Sequence, residues 1–209
     1  MTTNPHIEEK LNAFTHSVGT GLALAALVVL TGRALDSGSR LLVITALVYG
    51  FSQIVLYLSS ALTHEFYDLP RAHYYLRIFD QISVYLLIAG TYTPLTLVTL
   101  SGRGGMVLCA LEWGLAALGI FSKLFIFQKK SIVSDLLYIP MGWMLIFVLP
   151  AILDLPSGLI LSIIIGGITY TGGVTFYLSK RIPYAHVLWH LCVIAGSVSF
   201  FVGFLRYVY

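Results

Sequence analysis

Apolar residues run along this chain in long blocks broken by short polar clusters. The breaks are set by the charges. Residues 11–32 form a stretch of 22 without Asp, Glu, Lys or Arg, between Lys10 and Arg33. Residues 41–64 give 24, between Arg40 and Glu65, and residues 81–102 give 22, between Asp80 and Arg103. Residues 104–122 hold one charge, Glu112. Residues 136–153 give 18, residues 155–179 give 25 and residues 182–205 give 24. A helix needs about 20 apolar residues to cross the hydrocarbon. Only helices and closed barrels satisfy their backbone there. A barrel would show segments of about 10 residues alternating apolar and polar, and the chain has none. The pattern predicts an all-α integral membrane protein, a single domain over 1–209. It places seven transmembrane helices at about 12–32, 41–63, 80–100, 105–125, 134–153, 157–178 and 185–206.

Composition agrees. Hydrophobic residues make up 58% of the 209 and charged residues 10%, with a mean hydropathy of +0.89. A soluble domain carries about 25% charged residues. A disordered chain, a nucleic-acid-binding domain and a disulfide-stapled secreted domain are excluded. Cys109 and Cys192 both fall inside expected spans and read as small apolar core residues. The first ten residues carry two acids and one base, unlike the basic start of a signal peptide.

The basic residues set an orientation. With the N-terminus in the cytoplasm, the inner segments hold Lys10, Arg71, Arg77, Lys123, Lys129, Lys130, Lys180 and Arg181. The outer segments hold Arg33, Arg40, Arg103 and Arg206. Eight against four predicts the N-terminus inside and the C-terminus outside.

Ionisable groups at membrane depth are costly, so each is a candidate for function. His16 lies near the start of the first expected span. Ser60 and His64 end the second, Asp80 opens the third, and His186 and His190 open the seventh. Odd spans start, and even spans end, at the cytoplasmic face in this topology. These residues therefore share one depth. His186 and His190 are four apart and project from one helix face, as do Ser60 and His64. Glu9, Asn12 and His16 share a face if the first helix begins early. His64, His186 and His190 can supply the three protein ligands of a catalytic-type zinc site, with the fourth position open to water. Asp80 is placed to accept a hydrogen bond from that water. A proton relay or a structural hydrogen-bond network would use the same residue types.

Other features read as architecture. The run Gly166-Gly167-Ile168-Thr169-Tyr170-Thr171-Gly172-Gly173 offers a small-residue face for helix packing. Pro94 is expected to kink the third helix, with neighbouring threonines supplying hydroxyls, and Pro140 and Pro150 to do the same in the fifth. Trp113, Trp143 and Trp189 suit interfacial or packing roles. Glu112 reads as a second polar site, or as an acid that snorkels or stays protonated. Lys123, Lys129 and Lys130 read as an anchor near anionic lipids.

The motifs resemble those of the haemolysin III family, the bacterial branch of the progestin and adipoQ receptor superfamily. They are E-x-x-N-x-x-x-H at Glu9, Asn12 and His16; S-x-x-x-H with a following Asp at Ser60, His64 and Asp80; and H-x-x-x-H at His186 and His190. The run Tyr85–Pro94 and the pattern Gly166-Gly167-Tyr170 are also similar to the family. Gln81 departs from it, standing where many relatives have His. The resemblance covers about residue 9 to the C-terminus. It implies a seven-helix fold with a cytoplasmic N-terminus, in the bacterial inner (plasma) membrane. It also implies zinc on His64, His186 and His190, Asp80 contacting the metal-bound water, and Ser60 close by. Kinship with alkaline ceramidases, which look like membrane-embedded amide hydrolases, is implied as well.

A zinc site at membrane depth predicts a hydrolase acting on a lipid amide or ester near the inner leaflet, in membrane lipid homeostasis, with membrane lipids as surroundings and substrate. The other readings are a receptor-like regulator of membrane state with structural zinc and, further off, a proton-coupled transporter. A chain of tightly packed apolar helices does not resemble a secreted pore-forming toxin.

Overall fold

A computed structural model describes residues 4–126 and 137–209. Every regular element among them is helical. Helix α1 spans Pro5–Asp36, α2 Arg40–Glu65 and α3 Pro70–Pro94, which continues through a π-helical turn at Leu95–Thr99. Helix α4 spans Gly105–Phe121 and ends in a second π-helical turn, Ser122–Ile126. Two short helices follow, α5 Tyr138–Gly142 and α6 Leu149–Leu153, with a 3-10 turn at Met144–Val148 between them. Helices α7 Ser157–Leu178 and α8 Ala185–Tyr207 complete the fold. Six helices are long and apolar enough to cross a membrane. With the family relationship described below, they make this a multi-pass membrane protein.

The helix starts follow local chemistry. Asn4 caps α1, its side-chain oxygen accepting from the His6 N–H at 3.1 Å, and Pro5 takes the first-turn position where no N–H is needed. Ser39 caps α2 through the Leu42 N–H at 3.4 Å. Because α1 starts at Pro5, Glu9, Asn12 and His16 all lie on helix. Helix α3 begins at Pro70, ten residues before the expected 80. The expectation stopped at a charge, but Arg71 and Arg77 ride on the exposed side of the helix. Asp80 consequently sits about three turns into α3 rather than at its mouth.

Prolines act as expected in kind. Pro94 is followed at once by the π-helical turn, and the Thr93 and Thr96 hydroxyls donate to the Ala89 and Tyr92 carbonyls at 2.8 and 2.7 Å. Such back-bonding bends helices. The fifth expected span departs further. Tyr138–Leu153 is divided into three short pieces, and Pro140 and Pro150 each lie in the first turn of a piece, where no N–H is needed. The start of that span, with Asp135, lies outside the described residues, as do Lys129 and Lys130.

Helix α1 packs along α2, α2 along α3, and α7 along α8, and α1 also meets α8. The α7–α8 contact uses Gly166 and Gly173, where a Cβ would strike Phe200 and the Trp189–Cys192 pair. Gly167 and Gly172 face open space, so the small-residue face is only half of the run. At mid-bundle, Ser197 Oγ receives the Tyr57 hydroxyl at 2.6 Å and pairs with the Tyr170 hydroxyl at 2.9 Å. One serine thereby ties α2, α7 and α8 together. Gly19 lets the Tyr57 ring lie flat against α1, since a Cβ there would come within 2.5 Å of it.

Two charges lie inside the bundle. Lys123 is not a surface anchor. It is 1% exposed and donates from Nζ to Gln81 Oε1 at 3.0 Å. Glu112 does not snorkel. It is fully buried against α3, and neither carboxyl oxygen has a hydrogen-bond partner among the described residues. Helix rotation explains both, because the side chains point inward; for Glu112 this removes snorkelling and leaves a second polar site or a protonated acid.

Candidate metal centre

Three helix ends converge at one end of the bundle. The last turn of α2 carries His64, the first two turns of α8 carry His186 and His190, and α1 lies against both. One nitrogen from each of the three imidazoles lies within 4.8 Å of the other two. The ring centroids of His64, His186 and His190 are 4.7 to 5.1 Å apart. His64 and His190 are buried and His186 is half-buried.

The other ring nitrogens are held by α1. His64 Nδ1 lies 2.6 Å from Glu9 Oε2. A carboxylate only accepts, so Nδ1 carries the hydrogen and Nε2 keeps its lone pair. That Nε2 is buried with no hydrogen-bond partner among the described residues. His190 Nδ1 lies 3.2 Å from the Asn12 carbonyl oxygen and 3.1 Å from Thr15 Oγ1. The carbonyl fixes the same tautomer, and Thr15 itself donates to that carbonyl at 2.9 Å. Two of the three histidines are thus oriented as metal-binding histidines are, with the outer N–H on an acceptor, and in His64 the inner nitrogen is bare. The donor set and the unpartnered Nε2 fit zinc.

Asp80 approaches from α3, half-buried, hydrogen-bonded by the Ser60 hydroxyl. Ser60 is itself 2% exposed. His16 stacks face to face on His190, centroids 3.5 Å apart with planes inclined by 10°, and meets the Tyr57 ring edge-on at 5.1 Å. All eight residues singled out in the sequence (Glu9, Asn12, His16, Ser60, His64, Asp80, His186 and His190) come to this one end.

Two contributors escaped sequence reasoning. Thr15 bonds His190, and His73 donates from Nδ1 to the Thr63 carbonyl at 3.1 Å, tying the start of α3 to the end of α2. A threonine in a span most often bonds its own helix, and a histidine near a helix end is ordinary, so neither had a signal.

A haemolysin-III-related family model matches residues 5–201, nearly the whole chain. The chain belongs to the haemolysin III family. It is 40% identical to Hemolysin-3 of Bacillus cereus over 202 residues, covering 96% of this chain and 92% of that one. A Hemolysin-3 homologue of Bacillus subtilis (strain 168) is 38% identical over 201 residues, covering 96% and 94%. The monocyte to macrophage differentiation factor of Homo sapiens is 25% identical over 207 residues, covering 97% and 85%. The last of these extends the relationship to the progestin and adipoQ receptor superfamily. In this haemolysin III protein the match starts where α1 starts, so the family region includes the α1 residues that hold the histidines.

Proposed function

We propose that this haemolysin III protein is a zinc-dependent membrane hydrolase that cleaves a lipid amide or ester near the cytoplasmic leaflet. The observation that carries the reading is the histidine triad, with its ligand nitrogens within 4.8 Å of one another and two of its members held by α1. His64, His186 and His190 would hold the ion. Bound there, zinc supplies Lewis acidity and lowers the pKa of a coordinated water to about 7. Asp80 is the proton acceptor for the attacking water, and the Ser60 hydroxyl orients its carboxylate. The same carboxyl then returns the proton to the leaving nitrogen or oxygen. Glu9 and the Asn12 carbonyl keep the two imidazoles in the tautomer with the hydrogen on Nδ1 and the lone pair on Nε2. A site at the end of apolar helices favours a substrate delivered from the bilayer.

The topology belongs to the same proposal. The broken apolar stretch Tyr138–Leu153 is taken as part of the fifth of seven spans. Eight basic residues against four support an N-terminus, and with it a metal centre, on the cytoplasmic side of the inner membrane.

The alternative is a receptor-like regulator in which zinc is structural. It is favoured by the way the three ligands join α2 to α8. The test is metal content by mass spectrometry on wild type and His186→Ala, followed by turnover of a panel of lipid amides and esters with wild type and Asp80→Asn. The hydrolase reading expects one zinc in wild type, little in His186→Ala, and Asp80→Asn that keeps zinc but loses turnover. Zinc present with no turnover on any substrate leaves the structural role. No zinc in wild type overturns both.

A further inference from the structure

The metal reading accounts for the bare Nε2 of His64 but not for two other polar side chains at the site. Asn12 is 1% exposed and His16 is 3% exposed. Asn12 Oδ1 and both ring nitrogens of His16 are buried without a hydrogen-bond partner among the described residues. Leaving such groups unmet is costly in a medium of low polarity.

The contacts these residues make with the triad use other atoms. Asn12 serves His190 through its backbone carbonyl at 3.2 Å. His16 serves it through its ring face, 3.5 Å away and nearly parallel. Stacking on a ligand histidine puts the His16 nitrogens in a plane beside that histidine rather than toward the ion, and His16 is absent from the group of mutually close ligand atoms. It is therefore a neighbour of the metal centre and not a fourth ligand.

Asn12 and His16 are four residues apart on one face of α1, which brings their side chains together. A neutral imidazole offers one donor and one acceptor, and the amide oxygen adds a second acceptor. A hydroxyl, which both donates and accepts, matches this pair. An ester carbonyl, which only accepts, leaves the amide oxygen unmet. An apolar cleft begins one turn away. Gly19, one turn further along α1, and Tyr57, whose ring edge meets His16, line an apolar cleft of about 260 Å³ between α1, α2 and α8.

We propose that Asn12 and His16 form a head-group subsite that binds the hydroxyl of a lipid beside the histidine triad. This rests on the proposed hydrolase site for its meaning, but its test does not depend on zinc or on turnover. The full-length protein in nanodiscs is titrated with 1-monopalmitoylglycerol and with methyl palmitate, two esters of the same acid that differ in having free hydroxyls. Binding is read as Kd in zinc-loaded and chelated protein, alongside zinc content and Tm.

Wild type should bind the glycerol ester at least about tenfold more tightly, the effect of a buried hydrogen-bond pair made or lost. His16→Phe keeps a flat ring on His190 and should erase the preference while zinc content stays unchanged. Asn12→Leu should do the same, with Asn12→Ala in its place if the leucine variant fails to fold. His16→Gln, which keeps a donor and an acceptor, should restore part of the preference.

No preference in wild type, or an unchanged preference in both variants, overturns the proposal. Loss of zinc in His16→Phe also overturns it for His16, which would then act only through His190. A preference in a wild type that takes up no zinc when loaded sinks the hydrolase reading and leaves the subsite standing. Zinc with turnover but no preference does the reverse.

Discussion

Glu9 Oε2 and His64 Nδ1 lie 2.6 Å apart, joining the second turn of α1 to the last turn of α2. The carboxylate fixes which nitrogen of His64 carries the hydrogen, and so which one faces His186 and His190. Replacing Glu9 by Gln offers an amide in its place and weakens that control. Zinc affinity, measured by competition with a chromogenic chelator, should fall by about 10- to 100-fold while helix content is unchanged. Affinity equal to wild type would show that His64 is oriented without Glu9.

Removing a ligand should cost no less than removing its support. His64→Ala is expected to lose at least about tenfold in zinc affinity, read as zinc-to-protein stoichiometry after gel filtration. Wild-type stoichiometry would take His64 out of the site.

Zinc bridging α2 and α8 should stabilise the bundle by mass action. At free zinc about 100 times its Kd the expected gain is about 2.7 kcal/mol, seen as a rise in Tm in detergent and reversed by chelation. His186→Ala should show no zinc-dependent shift, and a shift of wild-type size would place the stabilising ion elsewhere.

The Ser197 hydroxyl is shared by the Tyr57 and Tyr170 hydroxyls at 2.6 and 2.9 Å. Ser197→Ala leaves the half-buried Tyr170 phenol to find a new partner, while Tyr57 keeps the Val193 carbonyl, 3.2 Å away. Interhelical hydrogen bonds in membranes are worth about 0.6 kcal/mol on average and about 1.7 at most. The expected loss is of that order, measured by denaturant or thermal unfolding, with zinc content intact.

Gly19 has a steric reason to be glycine, since the Tyr57 ring occupies the space of its side chain. Gly19→Val should lower stability by about 1–3 kcal/mol, the usual cost of overpacking. Gly21 has nothing within reach of a Cβ, so Gly21→Ala should be neutral or slightly stabilising. Equal effects of the two changes in the same unfolding assay would argue against close packing of Tyr57 on α1.

The site was legible in the sequence to an unusual degree because the hydrocarbon filters polar residues so strongly. His64, His186, His190 and Asp80 stood out by depth alone, and helical spacing put each histidine on a face. Spacing could not say which nitrogen of His64 faces inward, that Thr15 contacts His190, or that His16 stacks on His190 rather than joining the ligands. Those depend on how far apart neighbouring helices lie and how each is turned about its axis.

The sequence by itself determined membrane insertion, the placement of most apolar helices and the gathering of the His/Asp residues at one end. Each follows from charge depletion and helix periodicity, which are local properties of the chain. Tertiary structure decided the rest. Helix α3 carries Asp80 three turns inside its start, and Tyr138–Leu153 is divided into three short pieces. Lys123 is buried where a surface anchor was expected, and Glu112 is buried, which removes snorkelling from its readings. The physical reason is the same throughout: hydropathy fixes how deep a residue lies, whereas packing between helices fixes which way it points and what it touches.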